Sequence, residues 1–562
     1  MRFNSNSDMD KIRWKYSILP LILVSGMFFT ACSSHDGVED SKDDTKELKG
    51  PQFTLTEVPY GVDTEVSTRS TETVAKTDTL NFGNGIEGEV TVMREPKEET
   101  KAATRAEISN QHFTIKALST TGQLLATLKG TVSGTGTTKT FTPDAGTPHE
   151  IELPPGTYTF ICFNDAFTES GASISVNADK AGEALYGYTT QTISGQHYLV
   201  NFEMKHLAVR MRVELTAYWD INGIKAVIGT PTGHGHLASY NITEMVSMWD
   251  NPVVTSDLTF PTVTTEASNY TYTSTSDYRY FLASPDLSGI QSVGYYCKFK
   301  AGALYGRSVV GKSLDIGAIL PTRMQPNESY KIKVTLYYSY RYLFHDGSVA
   351  TLVQGKRAGK TAVAAMISNN KAMALTDAGS ACHWSNTQNS VQTTHASTEF
   401  NAIYHDVDGF NHTWSASHSR TGAALGTDPN FPAFYQAAHY TPLKPLTGTA
   451  GTTTSWYLPA IGEWALAAQA EGNYNPASLT SWPNEHTHQA WNERLMKVVN
   501  VQAGGTTPVW GGSLGWYWAS NEYSASSGYQ IITYPNSTYG FYFAANPKAT
   551  PFMAVRPFII KN

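Results

Sequence analysis

Charged residues are scarce in this chain. Of its 562 residues only 16% are charged, and the formal net charge is −7. Nucleic acids and anionic membranes are bound through clustered Lys and Arg, so this balance argues against both as the main partner. The glycine signature of dinucleotide-binding folds, the P-loop and the EF-hand loop are also absent from the sequence. No such motif therefore points to a nucleotide or a calcium ion.

Cysteines are equally few. There are four, and the three after the N-terminal region, Cys162, Cys297 and Cys382, lie far apart in strand-like or apolar surroundings. An odd number of widely separated cysteines does not make a disulfide framework. We therefore predict that these three are buried free thiols.

Residues 1–31 have the features of a signal peptide. Three basic residues precede the apolar residues 16–31, a stretch of signal-peptide length that is short for a membrane span. The small residues before Cys32 resemble the lipobox of bacterial lipoproteins. This resemblance implies that Cys32 is lipidated and anchors the protein in the outer membrane. An ordinary secretory signal with an incidental cysteine is the alternative.

Residues 32–105 begin as a polar, acidic stretch, which predicts a flexible pro-segment. The acidic patch just after Cys32 resembles the surface-export signals of Bacteroides-type lipoproteins. A plain solvated tether is the alternative.

Residues 111–340 read as strands divided by Gly, Pro, Asn and Thr turns. The clearest strand places these apolar residues on one face: Leu207, Val209, Met211, Val213 and Leu215. A period of two is typical of half-buried antiparallel strands. The sequence predicts a mainly β fold here, with two β-sandwich domains at residues 106–215 and 216–340.

Three stretches within these domains resemble the Bacteroides-type fimbrillins: LPPGTYTFICFND, NFEMKHLAVRMRVEL and MQPNESYKIKVTLYY. The resemblance implies sandwiches of the transthyretin-like pilin kind and a role in assembly. In that family the subunits are exported as lipoproteins, and a trypsin-like protease then removes an N-terminal strand after Arg or Lys. The vacated groove accepts a strand from a neighbouring subunit, which is donor-strand exchange.

The resemblance places the removable strand within residues 32–105. Arg105, in KAATRAEISN, is the first candidate for the processing site because it lies just before the first convincing strand. Arg69, in EVSTRSTET, is the second candidate. Ordinary solvated arginines are the alternative at both positions.

Residues 341–562 have a different texture, with more Ala and Gly and with helical patterns in NFPAFYQAAHY, GEWALAAQAEG and HQAWNERLMKVVN. The mixture predicts an α+β domain. Several ordered stretches, among them WYLPAIGEW, GWYWASNEY and AVRPFI, resemble a surface-protein domain of Fibrobacter and Bacteroides. That domain belongs to the C-type-lectin-like group. The resemblance implies a fold and says little about chemistry.

No catalytic residue, cofactor or metal site is predicted. Ser513 satisfies the pattern G-x-S-x-G, yet a strand-like stretch follows it where a nucleophile elbow needs a helix. The stretch HDVDGFNH, residues 405–412, lacks the ligand spacing of an EF-hand, and a structural turn is the favoured interpretation. We therefore expect that the protein is not an enzyme.

Aromatic residues crowd the segment after Gly515. Aromatic faces beside amide and carboxylate groups suit stacking on a sugar ring. The candidate ligand-binding residues are accordingly Trp518, Asn521, Glu522 and Tyr523. The alternative, which we favour for the tryptophans, is that they fill the core of the C-terminal domain.

The sequence thus predicts a fimbrial subunit at the cell surface, as an accessory subunit or a tip adhesin. It would accept a strand from other fimbrial subunits and bind a host or microbial glycan or protein through residues 341–562. A closed C-terminal domain is a poor strand donor, which favours the tip. The alternative is a non-polymerising surface lipoprotein that binds glycans.

Overall fold

The computed structural model describes residues 51–61, 76–96, 109–134, 140–230, 237–241, 246–249, 254–283, 289–393, 398–447, 452–482, 492–507, 515–533 and 542–561. Within these ranges no helix has the length and apolar character needed to cross a membrane. Strands predominate over helices, so the predicted mainly β fold is confirmed.

The strands of the first part, β1 to β13 in chain order, are Gln52–Glu57, Lys76–Asn81, Ile86–Arg94, Gln111–Ser119, Leu124–Ser133, Thr140–Pro143, Gly156–Asn164, Thr168–Ser170, Ser173–Asn177, Leu185–Ile193, Leu199–His206, Ala208–Ala217 and Lys225–Gly229. The strands of the second part, β14 to β25, are Leu237–Asn241, Val246–Trp249, Thr255–Thr259, Tyr272–Thr275, Arg279–Leu282, Ile290–Gln291, Tyr296–Ala301, Ala303–Leu304, Arg307–Ser308, Ser313–Asp315, Arg323–Met324 and Ser329–Tyr338.

The strands of the last part, β26 to β36, are Arg341–Phe344, Val349–Thr351, Ala362–Met366, Lys371–Ala374, Gly379–Cys382, Thr452–Tyr457, Gly515–Glu522, Ser527–Thr533, Tyr542–Pro547, Met553–Val555 and Phe558–Lys561. The described α-helices, α1 to α6, all lie in this part and are Leu352–Arg357, Phe400–Tyr404, Gly409–Trp414, Pro432–Ala438, Ile461–Gly472 and Glu493–Gln502. Short 3-10 helices are present at Ala178–Lys180, Ala416–His418, Leu425–Thr427 and Pro476–Ser478.

Two sheets form the N-terminal core. Sheet A has the strand order β1-β11-β10-β7-β4-β5-β6, and sheet D has the order β15-β14-β9-β8. The alternating side chains of sheet A divide between two clusters. One face carries Phe113, Ile115 and Phe160, and the other packs Ile161 and Phe163 against Ile174 and Tyr240 of sheet D, to list the larger members.

Two further sheets pack face to face in the middle of the chain. Sheet B has the order β17-β12-β25-β3-β2, with β18 also paired to β12, and sheet C has the order β16-β13-β20-β23. The apolar residues of β12 alternate inward as the sequence predicts, and Val213 and Leu215 are fully buried. Buried free thiols are likewise confirmed at all three described cysteines.

The predicted domain boundaries at 105/106 and 215/216 do not separate these sheets. Strand β12 runs through position 215, and sheet D joins β8 and β9 to β14 and β15 across it. Within the range predicted to be a flexible pro-segment, β1 belongs to sheet A, while β2 and β3 belong to sheet B. The outer faces of these strands are polar, so the residue pattern alone did not identify them as strands.

The last part contains sheet E, with the order β27-β26-β28-β29-β36-β31, and sheet F, with the order β30-β35-β32-β33-β34. Its helices α1 and α6 pack on sheet B. Leu495, Val498 and Val499 of α6 belong to the same apolar cluster as the inner faces of sheets B and C. Polar contacts follow the same seam: Gln502 Nε2 donates to the Tyr338 carbonyl oxygen at 2.8 Å.

Charged residues reinforce this seam from its rim. The Arg494 guanidinium pairs with Asp220 and lies 3.8 Å from the centre of the Trp219 ring. Lys497 Nζ donates to Glu266 Oε1 at 2.7 Å. Helices α1 and α6 therefore share a core with sheet B, although the predicted boundary at 340/341 does fall between β25 and β26.

Leu495→Ala should destabilise both sides of this seam, by about 2–5 kcal/mol, because it leaves a cavity in the shared core. Hydrogen exchange should show lost protection in residues 329–338 as well as in 493–502. The matched control is Leu443→Ala, since Leu443 is 45% exposed. Loss of protection confined to 493–502 would contradict a shared core.

Candidate functional site

Strand β1 occupies the edge of sheet A. It pairs in parallel with β11, from Gln52 opposite Leu199 to Glu57 opposite Met204. Among the described residues β11 is its one strand partner. The backbone bonds continue past both ends, with Gln52 N donating to the Tyr198 carbonyl oxygen and Val58 N to that of Met204. The strand is thus long enough for its register on β11 to be fixed. Among the described residues, however, it is paired with a strand on one side alone.

The inward face of β1 covers an aromatic groove. Phe53 and Leu55 pack on the core cluster of sheet A, and both stay partly exposed. The Phe53 ring lies 6.2 Å from that of Phe160 and 6.3 Å from that of Phe202, and its edge meets Tyr198 at 6.5 Å. Removal of β1 would therefore uncover apolar pockets at alternate positions and a free row of backbone groups on β11.

The segment that follows β1 is clamped. The Tyr60 ring stacks on His206 at 4.0 Å, and the Arg210 guanidinium lies 4.6 Å from the centre of the same ring. Asn327 Nδ2 donates to the Pro59 carbonyl oxygen at 2.7 Å, and Gly61 N donates to the Asn327 carbonyl oxygen at 3.0 Å. These contacts hold β1 in register at its C-terminal end.

Strand β3 is placed quite differently from β1. It lies between β25 and β2 in sheet B, with Arg94 opposite Tyr330 and Ile86 opposite Tyr338. Ile86, Val90 and Val92 are buried in the cluster that sheets B and C share. Three residues with predicted roles lie outside the described residues. They are the processing candidates Arg69 and Arg105 and the lipidation candidate Cys32.

Three of the four predicted ligand-binding residues are buried structural groups. Trp518, Asn521 and Glu522 have no exposed surface. Trp518 Nε1 donates to the Cys382 carbonyl oxygen at 2.9 Å, as expected for a core tryptophan. Asn521 Oδ1 accepts from Ile461 N at 2.8 Å, and so meets the first turn of α5. These three side chains therefore offer no surface to a sugar ring.

Glu522 is the most constrained of them. Its carboxylate pairs with the Lys548 ammonium group, and both side chains are fully buried. It also accepts from Val391 N at 2.7 Å and from Gln392 N at 2.8 Å. A buried ion pair with two further backbone donors is a fully satisfied network that fixes the 391–392 segment on β32.

Tyr523 is the one predicted ligand residue at the surface, with 38% of its area exposed. It meets the buried Tyr529 edge-on at 5.5 Å. Trp482, 40% exposed, lies parallel to the same Tyr529 ring at 6.1 Å. Trp482 was missed in the sequence because it stands outside any periodic stretch. The structure thus brings the exposed rings of Trp482 and Tyr523 into contact with the buried ring of Tyr529.

Buried carboxylates also cluster around α5. Glu463 pairs with Lys371 and accepts from Ala460 N at 2.9 Å, so it caps the helix as a structural group. Burial raises the pKa of Glu463 to about 7. Burial likewise raises the pKa of Glu471 to about 8, against the opposing field of Arg556. Ser513 lies outside the described residues.

Comparison with known proteins gives a weak likeness to fimbrial structures. The sequence matches no family model and no curated protein. A fimbrial protein from Bacteroides ovatus is 10% identical, with a TM-score of 0.21, and the likeness covers 92% of this chain and 100% of that one.

Two other solved structures are similar at the same level. A fimbrial protein from Bacteroides vulgatus is 10% identical over 40% of this chain and 90% of that one, with a TM-score of 0.26. The fimbrial anchor protein Mfa2 from Porphyromonas gingivalis is 11% identical over 45% of this chain and 90% of that one, with a TM-score of 0.24. These values are too low to establish a common fold.

Stability should fall as pH rises from about 4.5 to about 8. The sign follows because Glu471 keeps its proton when folded and loses it when unfolded, so rising pH favours the unfolded chain. Each unit by which burial raises the pKa contributes about 1.4 kcal/mol. Glu471→Gln, which keeps an acceptor for Asn500 Nδ2, should flatten this dependence in chemical unfolding measured across the pH range.

The residual slope in Glu471→Gln should come from the other groups whose pKa is raised, which are Glu463, Glu87, Asp377 and His112. Glu150→Gln, at an exposed carboxylate, is the matched control and should keep the full wild-type slope. A Glu471→Gln variant as pH-dependent as wild type would show that this carboxyl group is not buried in solution.

Proposed function

We propose that this protein is a strand-accepting fimbrial subunit that presents its C-terminal part for adhesion. The observation that carries the proposal is the pairing of β1, a half-buried edge strand held in parallel on β11. The fimbrillin-like stretches of the sequence imply what such a strand is for. By resemblance, it is removed and then replaced by a strand from a neighbouring subunit.

The groove beneath β1 suits β-augmentation. An incoming strand would recover the backbone bonds to β11, and apolar side chains at alternate positions would fill the places of Phe53 and Leu55. The main-chain bonds would give affinity, while the aromatic pockets lined by Phe160 and Phe202 would set register and specificity.

Arg69 is the better processing site on these grounds, although the sequence favours Arg105. Cleavage after Arg69 frees β1 and leaves β2 and β3 joined to the rest of the chain. Cleavage after Arg105 would also disconnect β3, whose Ile86, Val90 and Val92 are core residues. Each fully buried side chain of this size contributes about 1.5–3 kcal/mol, so losing β3 would cost far more than losing β1.

The opposite end of the chain favours acceptance without donation. Strand β36 pairs with β29 on one side and β31 on the other, so residues 558–561 lie between two strands of sheet E. We propose a tip position for this subunit, because the segment is paired within its own sheet and is not free to pair with a neighbour. We also propose that Cys32 is lipidated and that it anchors the protein in the outer membrane, at the cell surface, before processing.

Trypsin-like digestion of the chain from residue 33 onward tests the processing site. Arg69→Ala should block release of the β1 segment, whereas Arg105→Ala should leave it unchanged, as read by N-terminal sequencing of the digest. A cell-surface form that starts at Ser70 would agree. Release that depends on Arg105 and not on Arg69 would contradict the assignment.

Strand acceptance is tested with a synthetic peptide of residues 51–61. After cleavage and removal of the native segment in mild denaturant, the labelled peptide should rebind to the refolded chain. Replacing both Phe53 and Leu55 with Ala should weaken binding at least about tenfold, or about 1.4 kcal/mol, because both fill the groove. Replacing the exposed Gln52 with Ala is the control, and Thr54 is left unchanged because its hydroxyl donates to Asn201 Oδ1 on β11. If both variant peptides bind equally well, the proposal that the groove recognises Phe53 and Leu55 is wrong.

We place the ligand-binding surface at Trp482 and Tyr523, whose exposed rings flank Tyr529. A glycan array probed with the chain from residue 33 onward should give signals that Trp482→Ala and Tyr523→Ala remove, because ring stacking is lost. Tyr188→Ala, at a tyrosine 40% exposed in sheet A, should bind as wild type does. Undiminished signals in both variants would exclude this surface.

A further inference from the structure

A group of three potential metal ligands lies at the start of α3, apart from the strand groove and the aromatic surface. Asp408 directly precedes the helix, His412 lies one turn further on, and His418 ends the next 3-10 helix. One donor atom from each lies within 4.8 Å of the donor atoms of the other two. The first two belong to residues 405–412, for which the sequence favoured a structural turn, and the turn of the chain after α3 brings His418 beside them.

We propose that Asp408, His412 and His418 bind a divalent transition-metal ion, Zn²⁺ in particular. Two imidazole groups and one carboxylate are a donor set that suits zinc, whereas Ca²⁺ takes oxygen ligands almost alone. The site is independent of strand acceptance, since its residues belong to the C-terminal part whereas β1 and β11 belong to sheet A.

His412 is held in a ligating orientation by its surroundings. Its side chain is fully buried, and Nδ1 lies 2.8 Å from Ser520 Oγ on β32. This contact directs Nε2 toward the acidic side, where Asp406 Oδ2 lies 3.4 Å away. Metal-bound histidines are commonly fixed in this way, by a hydrogen bond from the ring nitrogen that does not ligate.

A neighbouring carboxylate is fixed by the same strand. Asp406 Oδ2 accepts from Asn521 Nδ2 at 2.7 Å, and Asp406 Oδ1 accepts from Asp408 N at 2.9 Å. Asp406 therefore holds the backbone of Asp408 and adds negative charge beside the three ligands. Asn521, expected from the sequence to contact a ligand directly, is instead a positioning residue for this group.

The two outer ligands have room to close on an ion. Asp408 Oδ2 and His418 Nδ1 are 4.0 Å apart, and their side chains are 41% and 22% exposed. Ligand atoms on tetrahedral Zn²⁺ lie about 3.3 Å apart, given bonds of about 2.0–2.1 Å. Since the three donor atoms lie within 4.8 Å of one another, shifts of up to about 1.5 Å at the surface side chains would bring them to this spacing around a fixed His412, with the fourth position left to water.

Titration of the chelator-treated chain, from residue 33 onward, with Zn²⁺ in a calorimeter tests the proposal. Wild type should bind an ion that raises its melting temperature, and Co²⁺ in its place should give the visible absorption of a tetrahedral site. His418→Gln and Asp408→Asn should both abolish that absorption. His439→Gln, at an exposed histidine outside the group, is the matched control and should bind as wild type does.

A second variant separates ligation from folding. Ser520→Ala leaves all three ligands in place and should weaken Zn²⁺ binding by about 10–100-fold, because it frees the His412 ring. The sequence has two further histidines close together, His486 and His488, which lie outside the described residues. They remain in every variant, so any Zn²⁺ binding that they provide would persist in His418→Gln. The proposal is overturned if wild type shows no tetrahedral Co²⁺ absorption, or if His418→Gln binds Zn²⁺ as tightly as His439→Gln.

Discussion

The pairing of three strands in sheet B is the constraint on which the rest of the structure depends. Strand β25 lies between β12, to which it is parallel, and β3, to which it is antiparallel. The three strands are far apart in sequence, so the sheet forms only after long loops have closed, and the buried apolar face must offset that entropy. The same face supports α6, so the C-terminal part is built on this sheet rather than tethered beside it.

Strand β1 is not subject to that constraint, because it is an edge strand of sheet A. It has one described strand neighbour, and its two apolar side chains are only partly covered. Loss of an edge strand removes one ladder of hydrogen bonds, whereas loss of β3 would divide a sheet and open a core. Ease of release is therefore a property of a strand's position in its sheet, and this is the ground on which we propose Arg69 rather than Arg105 as the processing site.

The sequence predicted the fold well where one periodicity dominated. The alternation through Val213 and the helical spacing of Leu495 and Val498 both correspond to real elements with the expected faces buried. The residue pattern did not predict strands β1 to β3, and the resemblance implied a single removable strand in this range, because Thr, Glu and Asp fill the outer faces and resemble a solvated tether. The roles of Asn521 and Glu522 were beyond reach, since their partners Asp406 and Lys548 are set by tertiary contacts alone.

The C-terminal strand is locked by more than its two neighbours. Just before it, the buried Arg556 pairs with Asp377 and donates to the Ala374 carbonyl oxygen at 3.1 Å. Drawing β36 out of sheet E would pull on this ion pair, and breaking a buried pair by removing one partner costs about 3–5 kcal/mol. It would also uncover Phe558 and Ile559, which are fully buried. Strands β1 and β36 thus differ in kind: β1 is paired on one side and covers an aromatic groove, whereas β36 is paired on both sides and is part of the core.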